Sequence, residues 1–251
     1  MKQEGPAINK QKVPGRIWEI DFLRGLAIIL MVGYHLLFDL GDFVGLKKFL
    51  GFSTDLTTPA WLVAQHFFAG LFVIISGISS TFSRNNLRRF LKFLAVALLI
   101  TVATYIFDRS SVILFGIIHC LAASVLIYTL IFQKSKPATR AAWGSLILMT
   151  GLSMPAVKKA LAIKTNWLLP LGLPGPSFAS FDYFPLIPWF GVFLIGTALG
   201  HWLYAEKKSL IRRPLPETFI NWCGRHSLWI YLLHQPVIMG ILYLLGYVTI
   251  F

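Results

Sequence analysis

The chain has 251 residues, of which 56% are hydrophobic and only 13% charged, and its formal net charge is +13. Soluble domains carry about a quarter charged residues, so an ordinary soluble protein is excluded, and several apolar runs near or beyond 18 residues define an all-α, polytopic transmembrane helical bundle. In a soluble protein the excess of Lys and Arg would suggest nucleic acid; here it sits in short segments between apolar runs, where it sets topology, and no nucleic-acid partner is expected.

In chain order, residues 1–15 are polar and read as a cytoplasmic segment, and residues 16–251 read as a single transmembrane domain. The first apolar run is too long for a signal-peptide core and has no small-residue cleavage site, so it is expected to be retained. Spans are predicted at 17–40, 61–82, 90–107, 112–132, 141–157, 185–204 and 226–248, the fifth weakened by Gly144, Gly151 and Pro155. With the N-terminus cytoplasmic, 15 Lys and Arg fall on the cytoplasmic side, among them Lys2, Lys10, Lys12, Arg16, Arg212 and Arg213, against 6 on the other. The positive-inside rule therefore orients the chain N-in, and seven spans place the C-terminus outside. Two outer segments are long. Residues 41–60 are glycine-rich; residues 158–184 carry Trp, Phe and several prolines and read equally as a lid or as an interfacial anchor. Cys120 and Cys223 support neither a disulfide nor a metal framework.

The first span, RIWEIDFLRGLAIILMVGYHLLFD, holds four ionisable residues. At about 100° per residue, Arg24 and His35 lie about 20° apart around the helix, with Asp21 and Asp39 each about 60° from Arg24. One stripe carries all four, and charge in hydrocarbon costs at least about 3 kcal/mol per group, so the stripe must face protein or a water-filled cavity. Depth sorts the remaining polar residues into two layers. An inner layer holds Asp21, Arg24, His234 and Gln235; an outer layer holds His35, Asp39, His66 and His119, with Asp182 in the adjoining loop. Arg24 and His35 are roughly 16 Å apart along the axis.

Each residue has a plainer explanation. Asp21 and Arg24, at i and i+3, suit a local ion pair. His66 and His119 taken singly suit interhelical hydrogen bonds, His201 an interfacial position and His226 a helix boundary. Ser76, in VIISGIS, lacks the second glycine of a nucleophile elbow and reads as packing surface. No HExxH and no clustered Cys/His spacing appears, so no metal is expected. Buried polar residues also mark solute pathways, which leaves a transporter or channel as the alternative, although no repeat halves are evident. A noncatalytic scaffold would leave the charged stripe unexplained.

Arg24 and His35 form an Arg-x10-His pattern that resembles the signature of acyltransferase-3 type membrane acyltransferases. With FFAGLFVIISGISSTFSR, FGIIHCLAASVLI, FDYFPLIPWFGVFLIGTALG and GRHSLWIYLLHQPV following in order, the chain is more similar to the heparan-α-glucosaminide N-acetyltransferase catalytic-domain family and its small bacterial members. The resemblance implies a plasma-membrane enzyme that takes an acyl group, usually acetyl, from cytoplasmic acetyl-CoA or another acyl-CoA. It would pass the group to an extracytoplasmic acceptor, a glycan amine or hydroxyl. Arg24 and His35 inherit the motif's roles; His234 and Asp182 inherit membership of a motif. In the animal lysosomal branch the catalytic His is not assumed to correspond to His35, and this chain lacks those enzymes' large luminal extension, so substrate identity does not transfer.

On that reading His35 serves as base or as acyl carrier, with Asp39 orienting its ring. Arg24, His234 and Asp21 line the donor mouth, where a guanidinium pairs phosphate. His66, His119 and Asp182 serve the acceptor or the developing oxyanion. The partners are acyl-CoA, a glycan or other envelope acceptor and the lipid bilayer, with oligomerisation left open.

Overall fold

A computed structural model describes residues 17–211 and 218–248. The segment 1–15, Arg16, Arg212 and Arg213 lie outside the described residues, and with them that part of the charge count.

The described chain is all-α apart from one two-stranded hairpin. Its elements are α1 (Trp18–Asp42), β1 (Lys48–Phe49), β2 (Phe52–Ser53), α2 (Pro59–Phe82), α3 (Asn86–Phe107), α4 (Ile117–Ile127), α5 (Pro137–Leu161), α6 (Leu186–Leu203), α7 (Phe219–Arg225) and α8 (Ser227–Leu244). A π-helical turn, Tyr128–Phe132, prolongs α4. Five helices, α1, α2, α3, α6 and α8, are long and apolar enough to cross a membrane, which makes the chain a multi-pass membrane protein.

Sequence chemistry accounts for most helix ends. Pro59 and Pro137 occupy first-turn positions, where a missing N–H costs nothing. Asn85 caps α3 by accepting the Arg88 N–H at 2.9 Å. α4 starts five residues later than expected because residues 113–116 are held in coil: Thr101 Oγ1 donates to the Ile113 carbonyl at 2.7 Å and the Ile113 N–H donates to Thr104 Oγ1 at 3.1 Å. α5 is longer than the expected 141–157 and runs through Pro155. Its glycines are packing sites rather than breaks, since Gly144 lies against Gly191 and Gly151 against Pro188 of α6.

The last expected span divides at His226. Thr218 caps a separate short helix, α7, and His226, with φ −104° and ψ 13°, joins it to α8. α7 packs on the first half of α1. A Cβ on Gly25 would overlap the Ile220 carbonyl oxygen, and a Cβ on Gly224 would overlap that of Asp21, so the two backbones touch. The crossing is pinned by Asn221 Nδ2, which donates to the Trp18 carbonyl at 3.0 Å. Glu19 ties down the preceding connection by accepting from Ser209 Oγ at 2.6 Å and the Leu210 N–H at 2.7 Å. A second glycine crossing, Gly77 with Gly196, joins α2 to α6. α4 lies inside, where Ile118, Cys120, Leu121 and Val125 pack with Val73 of α2 and Phe193 and Leu194 of α6.

The two long segments expected outside are structured. Residues 41–60 contain the hairpin, with Leu50 and Gly51 at positive φ in its turn. Residues 158–184 close on themselves through Tyr183 Oη, which donates to the Leu169 carbonyl at 2.7 Å. They dock on the α3–α4 connection through the Phe181 N–H to Ser111 and the Phe184 N–H to Phe115, each 3.0 Å.

Gly25→Ala or Gly224→Ala must push α7 off α1, because the obstacle is backbone. The expected result is a loss of at least about 2 kcal/mol or of folded protein altogether, read as thermal unfolding in nanodiscs. Gly33→Ala, whose Cβ would meet nothing within 4 Å, is the control and should melt with the wild type.

Candidate active site

The stripe on α1 is built as the helical spacing predicts, and it has a different neighbour at each end. At the Arg24 end, the guanidinium donates from Nη1 to Asp21 Oδ1 at 3.1 Å and to the Gly224 carbonyl at 3.5 Å, and from Nη2 to Ser79 Oγ at 2.6 Å. Asp21 is buried, so this is an enclosed ion pair rather than a surface one. Close by, Arg89 donates to the carbonyl and Oγ of Ser76 at 3.2 and 2.8 Å and lies over the Phe93 ring. Two guanidinium groups thus bracket the Ser76–Ser79 turn of α2. Sequence reasoning assigned Arg89 to topology and Ser76 to packing. The signal available was a paired Arg opposite a small polar run, which has meaning only once α2 and α3 are known to pack together.

At the other end, the His35 and His234 ring centroids are 5.0 Å apart. Gln235 Nε2 donates to Asp39 Oδ1 at 3.4 Å. The placement of His234 and Gln235 in the inner layer is therefore corrected: both lie at the His35–Asp39 level. The sequence places the start of the climb at residue 226, whereas the helical path begins seven residues earlier, at α7. Gly224 is level with Gly25, and the ten residues from Gly224 to His234 climb about 15 Å, matching the roughly 16 Å from Arg24 to His35. α1 and α7–α8 run parallel and in register.

His234 is fixed in one tautomer. Its Nδ1 lies 2.6 Å from the Tyr231 carbonyl, which can only accept, so Nδ1 carries the proton and Nε2 presents a lone pair. That Nε2 is buried without a hydrogen-bond partner, as are Asp39 Oδ2 and Gln235 Oε1. Asp39 is fully buried. Half of the six buried side-chain polar atoms lacking a partner among the described residues therefore belong to this one cluster. Native proteins leave few such atoms unpaired, and those that remain mark strain, catalytic groups or places where water, an ion or a ligand is held.

The other expected outer residues separate. Asp182 is tied to α8, accepting from Tyr231 Oη at 3.1 Å, and to the start of α4, accepting the Ile117 N–H at 2.9 Å. Burial pushes its carboxyl up to about 6, against the pull of those two donors. It bears on His234 through Tyr231. His119 has both ring nitrogens engaged: Nδ1 accepts the Gly116 N–H at 3.3 Å, so Nε2 donates to Thr101 Oγ1 at 3.0 Å. That holds the α3–α4 connection, as the plainer explanation had it. His66 bonds the Leu62 carbonyl at 2.7 Å and stacks on Trp189, lining an apolar hollow of about 400 Å³ with Phe67, Gly70 and Pro188. His226 bonds the Trp222 carbonyl and marks the α7–α8 joint, as expected of a boundary residue. Cys120 and Cys223 are both buried and free. Among the described residues, no group of three or more His, Cys, Asp and Glu is placed to hold a metal.

Helices of this length, with a guanidinium cluster at one level and a facing imidazole pair at another, define a multi-pass membrane protein with an enclosed polar site. Residues 16–236 match the family model described as heparan-alpha-glucosaminide N-acetyltransferase, catalytic. The chain belongs to that family, and membership implies a transferase. Comparison with curated proteins and with solved structures returned no significant match.

Asp182→Ala should cost about 1–3 kcal/mol by stranding the Ile117 N–H and Tyr231 Oη, whereas Asp182→Asn keeps an acceptor and should cost less. The folded carboxyl sits above its unfolded value. Its contribution to stability is therefore lost as pH rises through about 6 and regained as pH falls toward the unfolded value near 4. Melting measured from pH 4 to 7 should show wild type gaining on Asp182→Asn toward low pH.

Proposed function

We propose that the protein transfers an acetyl or other acyl group from cytoplasmic acyl-CoA to an extracytoplasmic acceptor, a glycan amine or hydroxyl, with seven spans crossing the membrane and its N-terminus inside. The observation that carries this reading is the separation along α1 of a cationic end, around Arg24, from an imidazole end, around His35. Acyl transfer between compartments requires that division, because the donor is anionic at one extremity and reactive at the other.

Arg24 and Arg89, with Ser76 and Ser79, offer N–H and O–H donors suited to the phosphates of CoA. Asp21 holds Arg24 in place. The roughly 16 Å to His35 is comparable with the reach of the pantetheine arm. At the far end His35 handles the nucleophile's proton or carries the acyl group. Asp39 and His234 border it, and Asp182 acts through Tyr231. The family description, which names an N-acetyltransferase, supports an amine as the first acceptor to try.

The test uses purified protein, labelled acetyl-CoA and amino-sugar oligosaccharides. Wild type should form labelled product, His35→Ala should lose at least about 100-fold in kcat, and Arg24→Ala should chiefly raise the KM for acetyl-CoA. Full turnover by His35→Ala would remove its role. A wild type inert with every acceptor would remove the reading.

A further inference from the structure

We infer that His234 is a second catalytic residue: its Nε2 removes the first proton from a protonated amine acceptor, which is held by an acceptor-only pocket formed by His234, Asp39 and Gln235. This rests on the acyl-transfer reading and divides its proton chemistry between two histidines.

The three side chains present one kind of group. His234 Nε2, Asp39 Oδ2 and Gln235 Oε1 are hydrogen-bond acceptors, all buried and all without a donor. They lie on the facing surfaces of α1 and α8, within about one helical turn of the His35–His234 pair. Leaving a buried acceptor unpaired costs about 1–3 kcal/mol, and a ligand that only donates would satisfy all three. An ammonium group has three N–H donors and no acceptor, and its charge is matched by the carboxylate. A neutral hydroxyl supplies one donor and would leave two of the three unmet.

Geometry selects His234 for the first proton. Nδ1 is committed to the Tyr231 carbonyl, which leaves Nε2 as a lone pair without a hydrogen-bond partner. Pro236 lies within α8 and has no N–H, so the Leu232 carbonyl lacks its usual helical donor beside the ring. His35, by contrast, forms no hydrogen bond among the described residues and contacts Tyr34 and His234 through its ring. It is left to turn toward the reacting carbonyl.

The steps balance. The acceptor R–NH3+ gives one proton to His234 Nε2 and frees the nitrogen lone pair. Nitrogen attacks the thioester carbon, a C–N bond forms and the carbonyl π pair moves onto oxygen. Collapse restores the carbonyl and breaks the C–S bond, the pair leaving on sulfur. The second nitrogen proton passes through His35 to the thiolate, giving the free thiol of CoA. His234 then releases its proton to solvent. The sum is ammonium plus acyl thioester to amide, thiol and one proton.

The experiment compares two acceptors with purified full-length protein and acetyl-CoA: a glucosamine-terminated oligosaccharide, protonated near neutral pH, and hydroxylamine, already neutral there. His234→Asn keeps an N–H for the Tyr231 carbonyl and removes the base. His234→Gln is run beside it, so that a folding defect in one variant leaves the other to be read. Expected is a loss of about 100-fold in kcat on the amino sugar, with the KM for acetyl-CoA nearly unchanged, and a loss under about 10-fold on hydroxylamine, which needs no first deprotonation. His35→Ala should be impaired equally on both acceptors. Equal losses of the His234 variants on both acceptors, or turnover like wild type, overturn the inference while leaving acyl transfer standing. A wild type inert with both acceptors overturns the parent reading and this inference together.

Discussion

The contact between Gly25 and Gly224 sets the register on which the site depends. Neither position has room for a Cβ, because each glycine lies on a carbonyl of the other helix. Within a bilayer such close backbone approach replaces the hydrophobic effect as the source of helix association, since lipid is as apolar as leucine. Once the two glycines are seated, α1 and the α7–α8 unit climb together. Arg24 reaches the Gly224 carbonyl at the crossing, and His35 meets His234 about three turns further on. A slip of one residue in either helix would rotate one imidazole by about 100° and part the pair.

The same register distributes electrostatic cost unequally. At the crossing, Arg24, Asp21 and Ser79 satisfy one another, and Arg89 finds Ser76, so charge is held in low dielectric by hydrogen bonds already made. Three turns away the opposite holds. Asp39 is fully buried with one oxygen unpaired, beside an unpaired His234 nitrogen and Gln235 oxygen. The polar network is thus complete at one end of α1 and incomplete at the other.

Much of this was legible in sequence. The hydropathy runs placed every long helix, and the eleven-residue spacing of Arg24 and His35 put both on one face before any neighbour was known. The ordered resemblance along residues 16–240 named the family that the match over 16–236 establishes. What failed was depth on the last helix. GRHS reads as a polar boundary, so FINWCGR looked like a loop end, whereas Thr218 caps it into α7 and lengthens the climb to His234. Three-dimensional neighbours were also illegible: Arg89 became part of the cationic cluster only because α3 starts beside the Ser76 turn, and His119 resolved into a loop tie only through Thr101. Periodicity reports a helix's own face and says nothing of which other helix it meets.

The proposed reaction places a donor end and an acceptor end of one helix on different sides of a membrane. Proteoliposomes of known orientation test it directly, with labelled acetyl-CoA confined to the side bearing the Arg24 end and an amine-bearing oligosaccharide confined to the other. Labelled oligosaccharide should accumulate in that arrangement, and none should form when the donor is moved to the His35 side. Transfer only when donor and acceptor share one compartment would contradict it.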